Sequence, residues 1–167
     1  MDKIIKYLFK IGLTESTSIK HYRDESPALF YRETYGDNSY FRNAPNYTYP
    51  GLVIVLDYRV DAPADFFRKQ KTLERMIETY CKRYKYTFES KYFYGDILIK
   101  ITRPEYIEAA NNYYYFRDRC VNECDMKAHE LYTAGRDQEV NAALGEIMSE
   151  HGEYYNQFLR DQDRATA

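Results

Sequence analysis

The sequence predicts an α+β fold: an antiparallel β-sheet of about four strands, packed by helices and followed by a C-terminal antiparallel helical hairpin. Three observations carry this. The apolar run GLVIVLDYRV at 51–60 suits a strand central to a sheet. YTFESKY and DILIKIT, on either side of Phe93, Tyr94 and Gly95, form the arms of a β-hairpin. The last third repeats its seam residues three and four apart in two stretches separated by Gly135.

Taken in order, Asp2 to Ile11 places Ile4, Leu8 and Ile11 on one helical face and stops at Gly12, a natural residue after a helix end. A polar stretch follows in which Ser18 to Tyr22 forms a short edge strand, and Ala28 to Thr34 reads as a further strand. Residues 35–50, rich in Asn, Tyr, Gly and Pro, read as a long loop. Beyond the central strand, Asp61 caps and Pro63 opens a helix running to about Tyr84. Its buried stripe is Phe66, Leu73, Ile77, Tyr80 and Tyr84.

After the β-hairpin, Pro104 opens the next helix, with seam residues Ile107, Ala110, Tyr114, Arg117, Val121, Cys124, Ala128 and Leu131. The returning helix carries Val140, Leu144, Ile147, His151, Tyr154 and Phe158. Counted outward from Gly135, Arg117 faces the His151–Tyr154 turn, where it stacks on Tyr154 or pairs with Glu150 or Glu153.

An internal echo adds a topological expectation. GLVIVLDYRV before Asp-Ala-Pro, and GDILIKIT before Arg-Pro, share the order Gly, apolar strand, proline, helix. Each follows another strand, so the chain reads as a doubled strand–strand–helix unit with its helices on one sheet face. Residues 1–104 are then an α+β sheet domain with an N-terminal helix, and 105–160 a helical hairpin packed on it. The expectation is one compact domain overall, with 161–167 as a disordered tail.

Composition bounds the function. A net charge of −2 with 30% charged residues signals neither a polybasic nucleic-acid binder nor an acidic mimic. Lysines interrupt the apolar residues of MDKIIKYLFKIG, which is no secretory signal, and LVIVL is far too short to span a bilayer. Three cysteines, an odd number, point to reduced thiols. The expectation is a soluble, cytoplasmic protein without membrane attachment. Twenty tyrosines and no tryptophan imply a core whose rings lie near the surface, because each hydroxyl needs a partner or water.

The stretch NNYYYFRDRCVNEC at 111–124 invites chemistry. Helical phase divides it: Tyr114 lies on the seam, while Tyr113 and Phe116 join Tyr106, Ala109 and Cys120 on a stripe that packs on the sheet. Tyr115 alone points to the polar side, with Arg119 nearby and Met126 three turns on, a set of residue types enriched at interfaces. A tyrosine nucleophile would need a base and a cationic cradle. Cys120 and Cys124 lack two further zinc ligands, since His129 is on the other side of the helix, so they read as buried thiols. Asp57 with Glu89, Ser90 and Lys91 is the acid and Glu-x-Lys pattern of metal-dependent nucleases, but alternation makes Glu89 and Lys91 a solvated strand face. No Walker loop, dinucleotide fingerprint, nucleophile elbow or zinc-protease helix occurs.

The 35–49 loop is the stronger candidate. Tyr35, Tyr40, Phe41, Tyr47 and Tyr49 alternate with Asn38, Arg42, Asn43 and Asn46. Rigid aromatics among amides suit macromolecular recognition. The expected function is a non-enzymatic protein-binding module, a small accessory or inhibitor protein of phage or mobile-element type acting on a host complex. Its partner-binding residues are Tyr35, Tyr40, Phe41, Arg42, Tyr47, Tyr49, Tyr115, Arg119 and Met126, with no catalytic residues, metal or cofactor. The alternatives are a nucleic-acid-binding domain, with Arg42 and Arg32 on phosphates, and a Mg-dependent nuclease-like enzyme.

Overall fold

The computed structural model describes residues 1–17, 26–37, 41–44, 47–59 and 62–166. The expected edge strand at 18–22, Tyr40 and the capping Asp61 lie outside them. The chain is α+β. Helix α1 (Asp2–Lys10) is followed by β1 (Thr14–Glu15), β2 (Ala28–Asp37) and β3 (Tyr47–Asp57). Helix α2 (Ala64–Tyr84), β4 (Glu89–Phe93) and β5 (Asp96–Ile101) come next, then α3 (Pro104–Thr133), a 3-10 turn (Asp137–Glu139) and α4 (Val140–Thr166). No described helix is long and apolar enough to cross a membrane.

The sheet has five strands in the order β1-β2-β3-β5-β4. It is mixed where a fully antiparallel one was expected: the two-residue β1 runs parallel to β2, while β5 is antiparallel to both β3 and β4. The four longer strands are symmetric about the central β3–β5 pair, the arrangement a doubled strand–strand–helix unit produces. In β3 every residue from Gly51 to Asp57 is buried, which explains the unbroken apolar run. Leu52, Ile54 and Leu56 join Ile97, Ile99 and Ile101 of β5 on one face, against Ile4, Ile5 and Leu8 of α1 and Leu73, Ile77 and Cys81 of α2. Val53 and Val55 cluster on the other face with Leu29, Tyr31, Tyr35 and Leu98.

Three local features differ from the expectation. The α2 stripe is Gln70, Leu73, Ile77 and Cys81. Tyr84 is exposed and Tyr80 partly buried, so the small Cys81 takes the inner position while the rings lie at the border with solvent. The two ends of the stretch 35–50 are strand, β2 extending through Asp37 and β3 starting at Tyr47, because β-favouring tyrosines continue the ladder, while 41–43 are bend and turn. The β4–β5 connection is two residues long, with Tyr94 and Gly95 both at positive φ (47° and 82°), a type I′ turn.

The chain divides into two compact units. One comprises Met1–Tyr35 with Tyr49–Ile107, the other Gly36–Thr48 with Glu108–Ala167. The second unit is therefore the helical hairpin plus the stretch between β2 and β3. Its core is Phe41, Tyr113, Cys120, Cys124 and Tyr155, with Phe116, Leu144, Met148 and Phe158 packed around it. Tyr113, Phe116 and Cys120 were expected to pack on the sheet; Tyr113 does stack on Tyr47 at the start of β3, 5.3 Å away, while Phe41 and α4 supply the rest of this cluster. Tyr106, nearer the helix start, does meet β3, 5.9 Å from Tyr49. On α4 the buried ring is Tyr155 and not Tyr154, because Phe41 broadens the buried side of the helix toward Tyr155. Arg117 lies 3.2 Å from Asp118 and 4.6 Å over Tyr114, both on its own helix. Helix α4 runs to Thr166, through most of the stretch expected as a disordered tail.

Candidate functional site

The predicted partner-binding residues separate into three environments. Tyr35 and Tyr49 belong to the sheet, their rings 5.6 Å apart. A Cβ on Gly51 would lie 2.0 Å from Tyr35 Cε2, so the ring lies over the glycine of the adjacent strand. Lys100 Nζ is 5.5 Å from the same ring. The Tyr35 hydroxyl is buried with no hydrogen-bond partner among the described residues. Burial, then the Glu33 carboxylate, pushes its pKa up. These rings line a groove of about 340 Å³ with Thr87, Glu89, Lys100 and Ile107.

Phe41 and Tyr47 are packing residues of the hairpin unit. Phe41 is 2% exposed and meets Tyr113 and Tyr155 edge-on or tilted at 5.4 and 5.5 Å. Tyr47 stacks on Tyr113 at 5.3 Å. Burial withdraws Phe41 from any contact surface. Arg42 is exposed, and its backbone crosses α4: its carbonyl oxygen lies 2.3 Å from where a Gly152 Cβ would stand. Asn43 Nδ2 donates to Ser149 Oγ at 3.0 Å, and Asn156 Nδ2 donates to the Asn43 carbonyl at 3.1 Å. Gly145, Ser149, Gly152 and Asn156, four, three and four apart, form one helix face that seats the 41–44 segment. This strip was missed in the sequence. Two glycines seven apart inside a helix were the available signal, since each costs helix stability and needs a packing reason.

Tyr115, Arg119 and Met126 remain as a surface. Tyr115 and Met126 are 59% and 75% exposed, and the Arg119 guanidinium sits 5.8 Å from the Tyr115 ring. Beside Arg119 runs a groove of about 430 Å³ between α3 and α4, lined by Phe116, His151, Tyr154, Gln157, Phe158 and Asp161. Its apolar floor comes from the outer parts of Phe116 and Phe158, rings 5.3 Å apart that complete the core below. His151 Nε2 lies 2.6 Å from Glu123 Oε2, tying α4 to α3 at one side. Tyr154, exposed because Tyr155 takes the core position, forms a wall. An apolar floor, a cation at the rim and exposed tyrosines can hold an apolar anchor with an acidic neighbour.

The residues of the other candidate chemistries do not converge. Asp57 stands opposite Asp96 and is held by Arg59 at 2.8 Å. Glu89 stands opposite Lys100, four residues further along β5, or about 13 Å of strand rise. Among the described residues no three His, Cys, Asp or Glu side chains group to hold a metal. Cys120 and Cys124 are free thiols within the aromatic core, and burial pushes Cys120 up to about 12. The chain matches no protein-family model, no curated protein and no solved structure.

Proposed function

We propose that this chain is a non-enzymatic protein-binding module whose contact surface is the outer face of the helical hairpin. The observation that supports it most is the groove lined by Arg119 and the exposed Tyr154, with Tyr115 and Met126 exposed along the same azimuth of α3 as Arg119. Tyr and Arg are residue types that often anchor interfaces, and the groove beside them is floored by Phe116 and Phe158, which pack on the hairpin core. The partner segment presents an apolar side chain to Phe116 and Phe158 and a carboxylate to Arg119. In this reading the protein is a small accessory or inhibitory factor, of the kind phages and mobile elements encode against host complexes.

The test is stoichiometric co-purification of a defined protein from a host lysate. Tyr115→Ala and Arg119→Glu should each release it while leaving the melting temperature unchanged, and Tyr84→Ala, on α2, should not. Equal capture by all variants would refute this surface. Retention on single-stranded DNA that falls steeply with salt would replace the reading with nucleic-acid binding.

A further inference from the structure

We propose that a second copy of this chain adds to the sheet at β4, antiparallel, with Ser90 opposite Ser90 of the other copy. Strand β4 ends the sheet order, and among the described residues nothing pairs with its outer side. Its residues are exposed apart from the half-buried Ser90. Among the described residues the opposite edge, β1, has two residues and offers little backbone to a partner.

The hairpin geometry decides which backbone groups are available. Thr87 N–H donates to the Thr102 carbonyl at 2.9 Å, and a two-residue turn joins Phe93 to its partner Asp96. Hydrogen-bonded pairs alternate with non-bonded ones, so residues 87, 89, 91 and 93 direct their backbone groups to β5. Phe88, Ser90 and Tyr92 direct theirs outward. A second strand can bond only in registers that set these outward residues opposite one another.

Charge selects among those registers. Placing Ser90 opposite Tyr92 of the other copy sets Lys91 against Lys91. Placing Ser90 opposite Phe88 sets Glu89 against Glu89. With Ser90 opposite Ser90, Glu89 faces Lys91 twice, in the closely spaced non-bonded positions where side chains interact most. Lys100 already stands opposite Glu89 within one copy, so the joined sheet carries Lys, Glu and Lys in a row. On the α2 face the same register sets Tyr92, which is 59% exposed, opposite Phe88 of the other copy. A lysine in mid-edge ordinarily repels an added strand. Here a glutamate two residues away turns that repulsion into self-recognition.

This inference is independent of the hairpin surface and is tested on the full-length chain by sedimentation equilibrium in the micromolar range. The wild-type chain should be a dimer. Lys91→Glu and Glu89→Lys should each weaken the dimer by about tenfold or more, since each converts two opposite-charge pairs into like-charge pairs. The double variant E89K/K91E should restore it. A monomeric wild type, a dimer indifferent to the single reversals, or a double variant no better than the singles would each overturn the proposal.

Discussion

At the scale of residues, the two glycines of α4 make opposite predictions. Alanine in a helix interior is favoured over glycine by about 1 kcal/mol. At Gly152 a Cβ would meet the Arg42 carbonyl oxygen at 2.3 Å, and backbone cannot swing aside. Overpacking of this kind costs about 1–3 kcal/mol, so Gly152→Ala should lower unfolding stability in a urea titration. At Gly145 the nearest atom, at 2.7 Å, is the end of the flexible Arg42 guanidinium. Gly145→Ala should therefore be neutral or stabilising by up to about 1 kcal/mol. The burial of Phe41 belongs to the same seat. A Tyr- and Asn-rich stretch between strands looks like a recognition loop in sequence, because nothing local reveals the glycine strip more than a hundred positions away.

Elements were largely legible, and where they differ the reason is a neighbour. Helix α1, the β4–β5 hairpin and the start of α3 follow from local pattern: Gly12 at positive φ, the Tyr94–Gly95 turn, and Pro104. The faces of the long helices were less legible. Cys81 is buried where Tyr84, three residues on and about 60° around the helix, was expected, and Tyr155 replaced Tyr154, a shift of about 100°. Contacts between elements now predict behaviour. Glu74 of α2 accepts from Ser90 Oγ at 2.6 Å and from Lys71 Nζ at 2.7 Å, tying β4 to the helix. Burial works to raise the Glu74 pKa, and these two hydrogen bonds together with the Lys71 and Arg75 charges more than offset it, leaving it below 4.5. A carboxylate with a lowered folded-state pKa contributes stability above its unfolded value, and that contribution is lost as pH falls through the folded value. Glu74→Gln should cost about 1–2 kcal/mol at neutral pH and show a smaller acid loss in melts below about pH 4.5.

For the whole molecule, burial of thiols and phenols sets the alkaline limit. Burial foremost, helped by neighbouring acidic groups, raises Cys81 and Cys120 from 9.0 to about 12. Tyr31 and Tyr155 rise from 10.0 to about 12, again chiefly through burial. Between the unfolded and folded values the native state holds more protons than the unfolded chain. Stability from these groups is therefore complete below about pH 9 and falls as pH rises toward about 12. Melting temperatures should be level near pH 8 and decline progressively through about pH 11; a level profile would contradict the burial of these groups.

The sequence by itself determined the fold class, the central two-sided strand, the tight hairpin and the helical C-terminal third. Periodicity, turn chemistry and proline position are properties of neighbouring residues, and they act before any tertiary contact forms. Only the tertiary structure decided which tyrosines are surface and which are core. That choice depends on which distant side chain arrives against each helix face, and here Phe41 on α4 settles it, leaving Tyr154 outside with Tyr115 and Met126 and placing Tyr155 within.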